Sequence, residues 1–214
     1  MKTKLISVPF RGIAVTHKIQ DDAILRNIKN IQQEIQKHTE SDIKMYRRSE
    51  LHITLFDHTG EWTKFPEYRT AEEALELTEI ASKYQHAFSV SFDYYKMTKT
   101  AVILASHEAG EFNDMRKSVF DIGKSWNIFD VSRPLYPDIV HTTICRFDED
   151  TSDCDKAEIS RIIRKYNSRY IELEPVRGFN VREFSRPLDY SSGHNVGYVG
   201  LEQNHLAHRA GDSK

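Results

Sequence analysis

The chain has 214 residues, enough for one large domain or two small lobes sharing a core. Its formal net charge of −2, from 30 Lys+Arg against 32 Asp+Glu, excludes holding a long polyanion by bulk electrostatics. A small phosphate ligand or a short oligonucleotide in a locally basic pocket remains open. The two cysteines, Cys145 and Cys154, make neither a disulfide framework nor a four-cysteine zinc site. No apolar stretch is long enough to span a membrane, and the opening MKTKLISVPFRG lacks a signal-peptide core. A reducing, cytoplasmic setting is expected.

In chain order, short β-branched runs broken by Pro9 and Gly12 predict a strand over about 12–17. Ile24, Leu25, Ile28, Ile31 and Ile35 recur at spacings of three and four, which predicts an amphipathic helix that Asp21 or Asp22 can cap. The stretch DIKMYRRSELHITLFD reads as strand, strongest over 51–56. A loop with Gly60, Trp62 and Pro66 follows. The next helix has Thr70 as N-cap and Glu73 three residues on, a capping-box pattern. FSVSFDYYKM and TAVILAS predict a hairpin turning near Thr98 and Lys99. Phe112, Met115, Val119, Phe120 and Ile122 mark a third helix. YPDIVHTTICRF is a further strand, with Cys145 as a small core residue. Ile159, Ile162 and Ile163 mark a fourth helix. YIELEPVRGFNVREF is strand, broken by Pro175 and Gly178, and NVGYVGLEQ is a short last strand. Strands and helices alternate with hairpins mixed in. This predicts an α+β fold: a bilobal, duplicated unit in which mixed or antiparallel sheets flank a central cleft and helices lie outside. The whole chain, 1–214, is expected to form one such domain of two pseudo-symmetric lobes.

Two stretches depart from what a buried strand needs. LHITLF (51–56) and VHTTICRF (140–147) each place a histidine two residues before a threonine inside an apolar run. Side chains at i and i+2 of a strand share a face. His52 and Thr54 therefore point one way while Ile53 and Leu55 anchor the strand. His141 and Thr143 do the same, with Thr142 and Ile144 turned away. Side by side, two such strands present two imidazoles and two hydroxyls to one gap, a set that suits a phosphodiester. One neutral imidazole can take a proton from an attacking hydroxyl or water, and the other, protonated, can give one to the leaving oxygen. The hydroxyls can hold the non-bridging oxygens. This chemistry calls for no metal and no other cofactor. The competing reading is two half-buried histidines satisfied by backbone carbonyls.

HITL (52–55) and HTTICR (141–146) resemble the two signature motifs of the 2H phosphoesterase superfamily: histidine, any residue, threonine or serine, then an apolar residue. The superfamily includes RNA 2′,3′-cyclic phosphodiesterases once called 2′-5′ RNA ligases, and 2′,5′-oligoadenylate-degrading enzymes. The resemblance implies a bilobal α+β fold and metal-independent hydrolysis. It implies His52 and His141 as the acid–base pair and Thr54 and Thr143 as phosphate ligands, with the acid and base roles left open. Arg146 matches the arginine that often closes the second motif. The implied substrates are 2′,3′-cyclic nucleotides, short 2′,5′- or 3′,5′-linked oligonucleotides or cyclic dinucleotides, with no long nucleic acid and no membrane as partner. A module that only binds a nucleotide or an RNA end in the same cleft is the alternative.

Other candidates are weaker. Tyr136, beside Pro137, is placed to stack on a base. Phe56 continues the alternation of His52 and Thr54 and would line their cleft, or else sit in the core. Arg133 and Arg186 could reach a second phosphate or a base edge. Arg146 lies three residues from Thr143, which puts it off the histidine face unless a bulge intervenes; pairing with Asp148 or Glu149 is the other option. Arg47 and Arg48 could attract an anion at the entrance to the first motif. His17, His58, His107 and His194 lack a repeated context and are expected to be exposed.

Overall fold

The structure, a computed structural model, describes residues 12–58, 71–83, 85–107, 110–126, 139–167, 172–184 and 193–202. The isoleucine stripe forms as its spacing requires: Ile24, Leu25, Ile28, Ile31 and Ile35 are the buried residues of α1 (Asp22–His38). Asp21 caps it, its Oδ1 accepting from the backbone N–H of Ala23 at 2.8 Å and of Ile24 at 2.9 Å. The other helices are α2 (Ala71–Ser82), α3 (Gly110–Ser125) and α4 (Asp153–Asn167). Thr70, the expected cap of α2, lies outside the described residues.

The strands are β1 (Gly12–Lys18), β2 (Lys44–Met45), β3 (His52–His58), β4 (Phe88–Phe92), β5 (Tyr94–Met97), β6 (Ala101–Ser106), β7 (Val140–Arg146), β8 (Glu172–Val176), β9 (Gly178–Phe184) and β10 (His194–Gly200). They form one four-stranded sheet in the order β10-β9-β1-β3, a second in the order β2-β7-β6-β5, and a two-stranded β4-β8 ribbon. Pairing within the sheets is antiparallel. The architecture is α+β and bilobal, as the element order predicts. One core cluster runs from Ile13 and Val15 of β1 through the α1 stripe to Ile144 and Cys145 of β7 and Ile159 and Ile162 of α4. Cys145 is fully buried, and burial pushes its thiol up to about 12. Among the described residues, no helix is long and apolar enough to cross a membrane.

Two details differ from expectation. FSVSFDYYKM is not one strand: it divides at Asp93. Phe88, Val90 and Phe92 are buried, and the next buried residue is Tyr95, so the inward phase shifts by one. The first half pairs with β8; the second makes the expected hairpin with β6, where the N–H of Thr98 donates to the Ala101 carbonyl at 2.7 Å. Pro175 does not interrupt β8 but sits within it, opposite Ser89. A two-stranded ribbon has an outer edge, where a missing N–H costs no ladder bond.

Helix α2 packs behind the first sheet. Gly197 pairs with the fully buried Val181, and the Leu75 side chain fills the space where a glycine Cβ would be. Helices α1 and α4 pack together, α1 against β7 and α4 against β5. The opposite faces of the two sheets carry His52 and His141, and β3 approaches β7.

Candidate active site

Both motif strands fold with the same irregularity. In the β1–β3 ladder Thr16 pairs with Thr54 and Val15 with Phe56, so Leu55 is an extra residue in β3. In the β6–β7 ladder Ile103 pairs with Thr143 and Val102 with Cys145, so Ile144 is extra in β7. Each bulge falls on the apolar residue after the motif threonine. Each bulge carbonyl is held by a helix side chain: Arg116 of α3 donates from Nε to Leu55 O at 3.2 Å, and Gln32 of α1 donates from Nε2 to Ile144 O at 2.8 Å. Such bulges re-aim side chains locally.

The bulges decide two candidates. In β7 the alternation His141, Thr143 resumes after Ile144, which brings Arg146 onto the histidine face, half-buried beside them. Arg146 Nε donates to the Tyr46 hydroxyl at 3.0 Å, while Glu149 pairs with Lys99 at 2.9 Å. In β3 the same irregularity turns Phe56 the other way. Phe56 does not line the cleft; it is 3% exposed in the main core cluster. Plain alternation placed it on the wrong face because the bulge shifts every later residue by one. Tyr136, Arg133 and Arg186 lie outside the described residues.

The histidines are held alike. The carbonyl of Glu50, two residues before His52, accepts from its Nδ1 at 2.6 Å, leaving Nε2 as the basic nitrogen of the neutral ring. That carbonyl is fixed by a tight turn, in which Arg47 N–H donates to Glu50 Oε2 at 2.7 Å and Glu50 N–H to Arg47 O at 2.8 Å. His141 bonds to the backbone of Ile139, also two residues upstream. Burial, the charge of Arg182 and the charge of His141 push His52 down to about 4, against the hydrogen bond to Glu50. Burial, then Arg116 and Arg146, hold His141 below the ordinary imidazole range. The two rings thus stand close enough for the charge of one to oppose the charge of the other. Thr54 and Thr143 are half-buried on the same faces. Thr142 points into the core, as its position in the alternation requires, and is 1% exposed.

Arg116 belongs to neither motif. Its guanidinium donates to the carbonyls of Thr54 at 2.7 Å and Ile139 at 3.3 Å as well as Leu55, and it lies 4.9 Å from the Phe112 ring centroid. It therefore ties the first motif strand to the residue that holds His141. The available signal was a charged residue on the apolar stripe of α3, four residues after Phe112 and three before Val119. Arg182 of β9 also belongs to neither motif. It donates to Gly193 O at 2.6 Å. The ladder places it opposite Ala14, on the His52 face. Of the other histidines, His17 is not exposed: it is 2% exposed and bonded to Glu174 at 2.9 Å and to the Gly178 carbonyl at 3.0 Å. His107 is exposed and stacks on Tyr94 at 4.1 Å, and His194 lies 3.5 Å from Glu183. Arg48 pairs with Asp22 at 2.8 Å on the surface. Among the described residues no group of three or more His, Cys, Asp or Glu is placed to hold a metal ion.

Solved structures share the fold. The chain is similar to a phosphoesterase (TM-score 0.57, 15% identity, 91% of this chain and 100% of that one). It is also similar to E. coli LigT complexed with 3′-AMP (0.53, 17%, 92% and 100%) and to a conserved Agrobacterium tumefaciens protein of unknown function (0.58, 12%, 94% and 91%). The chain has the LigT fold. No family model and no curated protein sequence matches it.

The depressed His52 carries a stability cost with a defined sign. Its folded pKa lies below the unfolded value near 6.5, so stability is complete above that pH and is lost as pH falls from there toward about 4. Between pH 6.5 and 5 the unfolded chain takes up a proton that the folded one refuses, which costs about 2 kcal/mol at about 1.4 kcal/mol per pH unit. Urea unfolding at pH 8 and pH 5 should show the native chain losing more stability than His52→Asn, by roughly that amount. Equal losses would place His52 in a far wetter setting.

Proposed function

We propose that the chain is a 2H-type phosphodiesterase that hydrolyses 2′,3′-cyclic nucleotides or short 2′,5′- or 3′,5′-linked oligonucleotides, cyclic dinucleotides among them. The observation that carries this is the matched pair of bulged H-x-T strands, with His52 and His141 in electrostatic reach of each other and Arg146 turned onto their face. The two lobes act as one catalytic domain, each lending one histidine strand. E. coli LigT, of the same fold, has been solved with phosphate and with 3′-AMP, which supports a small nucleotide as ligand. A reducing cytoplasm suits the exposed free thiol of Cys154.

His52, the histidine moved furthest down, is assigned the base, and His141 the acid. His52 Nε2 takes a proton from water as the oxygen bonds to phosphorus. The P–O bond to one ribose oxygen breaks, and the His141 imidazolium protonates that oxygen. A cyclic mononucleotide gives one nucleoside monophosphate; a linked oligonucleotide gives a phosphate-ended fragment and a fragment with a free ribose hydroxyl. Proton exchange with solvent then returns His52 to the neutral form and His141 to imidazolium. Thr54, Thr143 and Arg146 hold the non-bridging oxygens as their charge grows. No step calls for a metal.

A metal-free panel of 2′,3′-cyclic mononucleotides, 2′,5′-oligoadenylate, cyclic dinucleotides and a short RNA, with products resolved, tests the proposal. Turnover of at least one is expected. Because both free histidines titrate below 6.5, kcat/KM should peak on the acid side of that value. The kcat profile should lie further toward alkali, because a bound phosphate anion favours imidazolium. Tight binding without any product would instead make the cleft a nucleotide sensor.

A further inference from the structure

The first sheet extends the site beyond the histidines. Paired residues of an antiparallel ladder share a face. Thr54 pairs with Thr16, Thr16 with Asn180, and Asn180 with Tyr198, so Tyr198 lies on the face that carries His52 and Thr54. The irregularity in the β9–β10 ladder falls between Asn195 and Gly197, so it does not disturb this row. One row over, His52 pairs with Lys18, and Gly178, two residues before Asn180, continues that line to its partner Gly200.

Tyr198 does not stand up from the sheet. Its ring lies over the two glycines. A Cβ on Gly178 would meet the Tyr198 hydroxyl oxygen at 2.3 Å and Cζ at 2.6 Å, and one on Gly200 would meet Cε1 at 3.6 Å. The hydroxyl donates to the Arg177 carbonyl at 3.1 Å, which fixes the ring in plane. One face of the ring is thus seated on bare backbone, yet the residue stays 56% exposed. An aromatic ring laid on glycines, latched at its tip and open on its outer face is an unusual use of exposed apolar area. Its hydroxyl end, over Gly178 of β9, lies two strand spacings, roughly 10 Å, from the strand of His52. That is about the reach of a nucleoside from its phosphate, and Asn180 stands beside it with an amide suited to a base edge.

We propose that Tyr198, seated on Gly178 and Gly200, is the platform on which a substrate nucleobase stacks while its phosphate lies between His52 and His141. This rests on the nucleotide reading above. Stacking on an aromatic face contributes about 1–3 kcal/mol, so Tyr198→Ala should weaken adenosine 3′-monophosphate binding roughly 5- to 150-fold by calorimetry. Inorganic phosphate affinity should not change. Tyr198→Trp should keep nucleotide affinity, whereas Tyr198→Leu, which covers the glycines without a π face, should not restore it. Native-like nucleotide binding by the alanine or leucine variant overturns the platform. Phosphate binding by the native chain with no preference for the nucleotide also overturns it and leaves the histidine site standing. No affinity for phosphate or nucleotide overturns both.

Discussion

Replacing either motif histidine by alanine is expected to lower kcat by about 10²- to 10⁴-fold, the usual share of one positioned acid or base. The fold should survive, since each ring is only half-buried and burying His52 costs stability at acid pH. The double variant should lose much less than the product of the single losses, because acid and base act as a unit in one displacement. A substrate with a nitrophenolate leaving group separates the roles. That group leaves without a proton, so His141→Ala should recover most of its activity on it and His52→Ala should not. The reverse pattern would exchange the roles, and near-native kcat in both variants on the nucleotide substrate would remove the mechanism. Arg116 is a positioning residue in this scheme. It touches the carbonyls of Thr54, Leu55 and Ile139 rather than the gap itself, so its loss would disturb both motif strands together.

The motifs were legible because polar side chains at i and i+2 in an apolar run are costly unless used, and because the pattern occurs twice. Helix α1 was legible because one stripe carries all its apolar weight. The bulges were not. A bulge adds one residue without changing composition, so simple alternation sends Phe56 to the cleft and Arg146 away from it, the opposite of what the ladders show. Arg182 and Tyr198 were out of reach for a different reason. Each gains its position from partners far along the chain, and nothing local distinguishes it from a solvated arginine or an exposed tyrosine. The β4–β8 ribbon shows the same limit. Taken alone, β8 would bury Leu173 and expose Glu174, but Leu173 is 60% exposed and Glu174 fully buried. Its register against β4 sets Glu174 opposite the buried Val90 and Leu173 opposite Ser91.

Glu174 is where the largest stability effect is expected. Its Oε1 lies 2.9 Å from His17 Nε2 and accepts the N–H of Gln20 at 2.9 Å, and Oε2 accepts the N–H of Asp21 at 3.1 Å. One carboxylate therefore joins β8 to β1 and to the turn that caps α1. The far side of the His17 ring meets the Gly178 carbonyl, directly beneath the seat of Tyr198. His17 pairs with Ile53 in the ladder, one residue from His52. Breaking a buried pair strands the partner in a place where water cannot replace it, so Glu174→Ala should cost about 3–5 kcal/mol in urea unfolding. A joint His17→Leu, Glu174→Leu variant should recover part of that loss, since it removes both polar groups, although the two backbone N–H donors remain unmet. A cost for Glu174→Ala under about 1 kcal/mol, the size of an ordinary surface change, would mean that water or another donor set takes over the role.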